Sequence, residues 1–262
     1  MKRLLLVMLS LAAVFLNASP LEHPLPVISR FFSLPVGTVI IDPGHGGTDP
    51  GARGIHIGED GTLHTIFEKD LNLALALDLE AELAKRFPDL RIVLTRREDL
   101  YLTLARRAAL AHEAPVEQGK SKIFVSLHAN AAASTEARGF EVWVDQQKRH
   151  TQFVSPVIDD AAVRALTASL NRAMASELRE ATLTLAETLV EYLDASVGEH
   201  TPNRGVRKSD FYVLTQTVMP AVIIETGFMT NVDELRQLTD EAYQKRIVTA
   251  LADALEGFIE AE

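Results

Sequence analysis

Three apolar runs of this chain end beside a residue able to bind a metal ion or move a proton. Val39-Ile40-Ile41 leads into Asp42-Pro43-Gly44-His45-Gly46-Gly47. A second run ends in Ser126-Leu127-His128-Ala129-Asn130, and a third ends at Glu225 in Ile223-Ile224-Glu225-Thr226-Gly227. Taken singly, each has an ordinary structural explanation: a satisfied histidine beside a buried strand, or a glycine-rich turn. In an open α/β sheet, however, the carboxyl ends of parallel strands form the ligand crevice, so residues distant in sequence converge there. Two imidazoles and a carboxylate are an established ligand set for a catalytic zinc, which keeps a further position for water. The sequence contains no cysteine, which excludes disulfides, thiolate nucleophiles, iron–sulfur clusters and Cys-ligated zinc. Any metal must therefore be held by imidazole and carboxylate. The candidates for the carboxylate are Glu59, Asp60, Glu68 and Asp70. Spacing favours Glu68, which precedes a helix where the chain returns to the sheet, whereas Gly58-Glu59-Asp60-Gly61 reads as a solvent-facing turn. The glycines around His45 make no nucleotide fingerprint, having neither G-x-G-x-x-G spacing nor the Walker lysine.

These residues need a scaffold. Strand-length apolar runs alternate with longer helical patterns, which predicts one α/β domain with no internal repeat. Strands are expected at 39–41, 91–95, 122–127, 139–144, 211–214 and 221–224. A largely buried helix spans 70–87 and is stopped by Pro88. Thr103 is placed to cap a helix running through Ala111, Asn231 and Glu234 have capping-box spacing, and 241–259 is amphipathic. Residues 146–198 contain no strand pattern and read as one or two helices after a break at Pro156. Arg96, Arg97, Arg106 and Arg107 read as helix-face and structural charges. His23, His56, His64, His112, His150 and His200 have surface or structural contexts.

Of the 262 residues, 47% are apolar and 24% charged, with 26 Lys+Arg against 36 Asp+Glu. This is globular composition, and a formal net charge of −10 argues against nucleic acid, whose phosphates demand a basic face. Met1-Lys2-Arg3, the apolar run Leu4 to Leu16 and the small residues around Ala18 have the layout of a secretory signal, too short to span a bilayer. Residues 1–18 are thus expected to be a signal peptide, 19–36 a linker and 37–262 the catalytic domain, exported to the periplasm or beyond. Loss of Lys2 and Arg3 would leave a net charge of −12. No later stretch is expected to cross a membrane.

Asp42-Pro43-Gly44-His45-Gly46-Gly47 with Asp49-Pro50-Gly51-Ala52, Glu68-Lys69-Asp70-Leu71-Asn72-Leu73, Leu94-Thr95-Arg96, Val125 to Ala131, and Pro220 to Asn231 occur in the order of the blocks of a known family. The chain resembles the zinc-dependent N-acetylmuramoyl-L-alanine amidases of type 3 from about Val39 to its C-terminus. The resemblance implies a mixed, mostly parallel twisted sheet flanked by helices, the amidase/phosphorylase-like arrangement. It also implies one zinc ion per chain and cleavage of the amide joining N-acetylmuramic acid to L-alanine in peptidoglycan. By motif, His45, Glu68 and His128 correspond to the zinc ligands and Glu225 to the catalytic glutamate, which selects Glu68 over Glu59. Asp42 and Asn130 are expected as partners of the metal-bound imidazoles or as substrate groups. Arg207 or Lys208, in Asn203 to Lys208, is expected to contact a substrate carboxylate. Residues 55–67 look like an enlarged loop beside the metal. Residues 146–182, with Asp159, Asp160 and Glu177, occupy the place of a helical insertion that blocks the zinc in some members, which would make activity depend on a protein activator. The protein is expected to be a monomer. The competing readings are a noncatalytic peptidoglycan-binding protein on the same fold and a zinc peptidase acting on the stem peptide.

Overall fold

The structure, a computed structural model, describes residues 34–57, 61–146 and 161–261. The expected signal peptide, most of the linker, His23, Glu59, Asp60, His150, Asp159 and Asp160 lie outside the described residues. The strands are β1 (Val36–Pro43), β2 (Arg53–Ile57), β3 (Leu63–Phe67), β4 (Arg91–Leu94), β5 (Ser121–Asn130), β6 (Phe140–Asp145), β7 (Asn203–Ser209) and β8 (Ala221–Phe228). The helices are α1 (Glu68–Arg86), α2 (Leu104–Glu113), α3 (Ala161–Val197), α4 (Tyr212–Gln216), α5 (Val232–Leu238) and α6 (Glu241–Ala261).

β1 is buried along its whole length, as a strand needs to be when it has neighbours on both edges and helices on both faces. The main sheet runs β4-β1-β5-β8-β6-β7. β4, β1, β5 and β8 are mutually parallel, β6 is antiparallel to β8, and β7 is parallel to β6. The result is the expected α/β domain with a mixed, mostly parallel sheet flanked by helices. Alternate side chains of the central strands face opposite layers. Val39, Ile41, Val125, Leu127, Val222 and Ile224 join the core under α1, α3 and α6. Ile40, Phe124 and Ile223 point to the other face, against Ala111 of α2 and Val213 and Leu214 of α4.

α1 buries Leu71, Leu75, Ala76, Leu79 and Leu83, a helical stripe that lays it on the sheet. It carries acidic residues in its first turn and Lys85 and Arg86 in its last, complementing the helix dipole. α3 buries Ala181, Leu185, Ala186, Leu189, Leu193 and Val197. From Ala161 to Glu180 its buried side chain is Thr167. The expected caps form: Thr103 accepts from Arg106 N, and Asn231 from Asp233 N and Glu234 N. Glu234 does not complete a capping box, because its carboxylate accepts from Gly139 N, Phe228 N and the Thr201 hydroxyl.

Two expectations are corrected and one strand is added. Residues 211–214 are not a strand: Leu214 N and Thr215 N both donate to Phe211 O, and the short turn of α4 seats Val213 and Leu214 on the sheet. Residues 203–208 form the edge strand β7, paired with β6. Within the segment 55–67, residues 55–57 belong to β2 and 63–67 to β3, which pair antiparallel with His56 opposite His64.

Candidate active site

Beyond β1 the chain turns sharply, with positive φ at His45 (60°), Gly46 (130°) and Gly47 (58°). Glycine adopts this region freely, but at His45 it costs of order 1 kcal/mol and aims the ring into the crevice above the strand ends. The carbonyls exposed by the turn are taken by two buried guanidiniums. Arg96 donates to Pro43 O (3.0 Å) and Gly44 O (2.8 Å), and Arg107 to Pro43 O (2.7 Å) and His45 O (2.5 Å). Arg107 is itself paired with buried Asp42 at 2.6 Å, and Asp42 also accepts from Thr95 and Ser126. Asp42 therefore anchors an arginine and is not the partner of an imidazole. Removing the cation while leaving its carboxylate buried is expected to cost about 3–5 kcal/mol. Arg107→Met should show this in urea unfolding, and should loosen the His45 turn as well.

His128 projects from the end of β5 with its ring centroid 5.0 Å from that of His45. Gly44 makes this approach possible, since a Cβ there would overlap the His128 ring. Gly44→Ala is expected to displace His128, which loss of metal affinity would report. Glu68 opens α1, positioned by its backbone N–H donating to Ala52 O (3.0 Å). Its Oε1 lies 3.1 Å from His45 Nε2 and 2.9 Å from His128 Nδ1, and its Oε2 accepts from Ala52 N at 2.8 Å. One ligand atom from each of His45, Glu68 and His128 lies within 4.8 Å of the other two. The remaining ring nitrogen of His45, Nδ1, meets Asp49 Oδ2 at 2.8 Å.

Electrostatics bind the cluster together. Burial works against a charged His45, but the carboxylates of Glu68 and Asp49 outweigh it and raise the imidazole to about 9. Burial likewise opposes ionisation of Glu68, yet the two imidazoles hold it well below the usual carboxylate range. His128 is raised against its burial by Glu68 and Glu225. Glu225, level with His128 in the β5–β8 register, is pushed up to about 7, chiefly by burial and further by Glu68 and Glu141. Its Oε2 is buried and has no hydrogen-bond partner among the described residues.

The four residues lie at the base of a cleft of about 340 Å³, walled by Tyr101, Leu104, Phe211 and Tyr212. Asn130 lines the cleft, with its amide donating to Glu141 at 2.7 Å; Arg207, on β7, does not line the cleft, and its Nε lies 3.6 Å from Glu141 Oε2. No residue of α3, Glu177 included, lines the cleft, and neither His56 nor His64 joins the cluster. Sequence reasoning missed Asp49 and Glu141. Asp49 was detectable as an acid four residues after His45, and Glu141 as a charge at a buried position of Phe-Glu-Val-Trp-Val.

The family model described as N-acetylmuramoyl-L-alanine amidase matches residues 39–257, a span containing His45, Asp49, Glu68, His128 and Glu225. The chain belongs to the N-acetylmuramoyl-L-alanine amidase family. This amidase is 30% identical to the probable N-acetylmuramoyl-L-alanine amidase AmiB of Haemophilus influenzae, with 87% of this chain and 53% of that protein aligned. It is 28% identical to AmiA of Escherichia coli, over 83% of this chain and 74% of that one. It thus spans about half the length of the first relative and three quarters of the second. A solved N-acetylmuramoyl-L-alanine amidase from Clostridium difficile 630 superposes on the amidase with a TM-score of 0.65 at 27% identity. The match covers 87% of this chain and all but 1% of that one. The catalytic domain of CwlV from Bacillus (Paenibacillus) polymyxa gives 0.61 at 29% identity, over 87% of this chain and the whole of that one. Among the described residues, no helix of the amidase is long and apolar enough to cross a membrane.

Proposed function

We propose that this amidase hydrolyses the amide between the lactyl group of N-acetylmuramic acid and L-alanine in peptidoglycan, with one zinc ion held by His45, Glu68 and His128 and with Glu225 moving the proton. The carrying observation is the convergence of two imidazole nitrogens and a carboxylate oxygen beside a buried, unpartnered carboxylate in an open cleft. The donor set fits zinc. It is all nitrogen and oxygen, it supplies three ligands, and the cleft leaves room for a further one. Bound there, zinc would polarise the scissile carbonyl and lower the pKa of water toward about 7.

The chain's own groups supply the rest. Asp49, at His45 Nδ1, fixes the tautomer that turns Nε2 toward the metal position. Glu225, in a site that makes a carboxylate bind protons readily, accepts the proton of the attacking water and returns it to the leaving nitrogen. Without that return the amine would have to depart as an anion. Asn130, held by Glu141, presents its amide at the cleft floor for a substrate carbonyl. Residues 1–18 serve as the export signal, 19–36 as a linker and 37–262 as the catalytic domain, so the enzyme acts on the wall outside the cytoplasm; we propose that it does so as a monomer. Remodelling, daughter-cell separation and recycling are the roles this chemistry suits.

Two consequences concern the metal. Between about pH 7 and 9, His45 in the metal-free cluster carries a proton that zinc must displace, so binding is expected to release at least one proton and to weaken as pH falls. Calorimetry in buffers of differing ionisation enthalpy reads this number, and no proton release would count against it. Asp49→Ala is expected to lower zinc affinity by about 10- to 100-fold, as competition with a chelating dye would report.

The reading is tested by identifying the new chain ends made when the zinc-loaded protein digests purified peptidoglycan. Stem peptides with a free L-alanine amino terminus are expected. Ends within the stem peptide would indicate a peptidase, and binding without cleavage a noncatalytic wall protein.

A further inference from the structure

Glu141 is 2% exposed and carries more positive charge around it than the chemistry above uses. The β6–β8 register sets it opposite Glu225. Its Oε1 accepts from Asn130, and its Oε2 accepts from Arg204 Nε at 2.7 Å and lies 3.6 Å from Arg207 Nε. Arg204 is committed elsewhere too: it donates to Arg138 O and lies over the Phe228 ring, 5.0 Å from its centroid. Arg207 is not. Its side chain is 47% exposed, and its guanidinium makes no hydrogen bond to any described residue. Glu141 alone thus faces two guanidiniums, in a chain whose formal charge is −10. Arg207 is level with Trp143 in the β6–β7 register, and Trp143 packs edge-on against Phe211, a wall of the cleft.

The spacing suits a peptide leaving the site. β7 is two strands from β8, about 10 Å across the sheet, and Arg207 leans back over the intervening strand toward Glu141. With its Nε 3.6 Å from Glu141 Oε2 and Glu141 opposite Glu225, its guanidinium lies one strand to the side of Glu225, a separation on the order of two extended residues. We infer that Arg207, aligned by Glu141 and Arg204, forms a carboxylate-binding subsite that receives a free carboxylate on the second residue of the stem peptide. An arginine fork held in place and still wet is suited to such an anion. This inference rests on the amidase reading.

The test uses a muramoyl dipeptide whose second residue bears a free carboxylate, and the same compound with that carboxylate converted to the primary amide. Zinc-loaded wild-type protein is expected to favour the acid by about tenfold in kcat/KM, mostly through KM. Arg207→Gln should bring that ratio close to one, and Arg207→Lys should keep part of it. Thermal unfolding and zinc content of both variants establish that they are folded. Equal cleavage of the two compounds by wild type, or a ratio unchanged in Arg207→Gln, would overturn the subsite while leaving the amidase reading in place. Cleavage of neither compound by wild type would overturn both.

Discussion

Glu225→Gln is expected to lower kcat by about 10²- to 10⁴-fold while zinc binding stays unchanged. The substitution keeps the shape of the side chain and removes its ability to accept a proton. Glu225 is not within the cluster of His45, Glu68 and His128, so metal content after dialysis should match wild type. The pH profile gives a second reading. Glu225 acts as a base only when ionised, so kcat/KM should rise with pH through its pKa. A bound dication draws that pKa below the value of about 7 it has in the metal-free cluster. The rising limb should therefore lie below about pH 7 in wild type, and Glu225→Gln should lose it. Stability should move the opposite way. Because the folded-state pKa is raised, ionising Glu225 costs the folded protein stability as pH climbs from its unfolded value of about 4.5 through about 7. The metal-free variant should be more stable than wild type above pH 7. Full activity in the variant would remove Glu225 from the mechanism.

Glu68→Ala should have the other large effect, through the metal. Glu68 Oε1 bridges both imidazoles, so its removal deletes one ligand and frees two histidine rings that like-charge repulsion would then spread when protonated. The loss in zinc affinity should exceed the roughly 10- to 100-fold expected for removing an outer hydrogen bond such as that of Asp49. Hydrolysis should fall with metal content, as elemental analysis after dialysis would show. A Glu68→Ala protein that retained stoichiometric zinc would indicate a different ligand set.

The residues at the strand ends were legible because a polar side chain closing an apolar run is conspicuous. His45, His128 and Glu225 each end such a run, and the parallel strands β1, β5 and β8 bring them to one edge. Glu68 was harder, since its place depends on Ala52 receiving the start of α1. Asp49 and Glu141 depend on a left-handed turn and on antiparallel register, neither of which composition or periodicity reveals. β7 was not foreseen as a strand because an edge strand takes its hydrogen bonds from one neighbour and needs little apolar alternation of its own; Asn203 to Lys208 stood out only as a basic patch. Residues 211–214 misled in the opposite sense: four apolar residues carry too little period to separate a strand from one helical turn. Arg96 and Arg107 read correctly as structural. Their service to the carbonyls of Pro43, Gly44 and His45 follows only from the turn those residues make.

Zinc-dependent amide hydrolysis is measured most directly by titrating zinc into metal-free protein on purified peptidoglycan and counting alanine amino termini released from stem peptides. Release should rise in proportion to added zinc and level off at one ion per chain, and Glu225→Gln should bind the same single ion without release. Equal release before and after zinc is added, or none from wild type at one bound ion per chain, would contradict zinc-dependent hydrolysis.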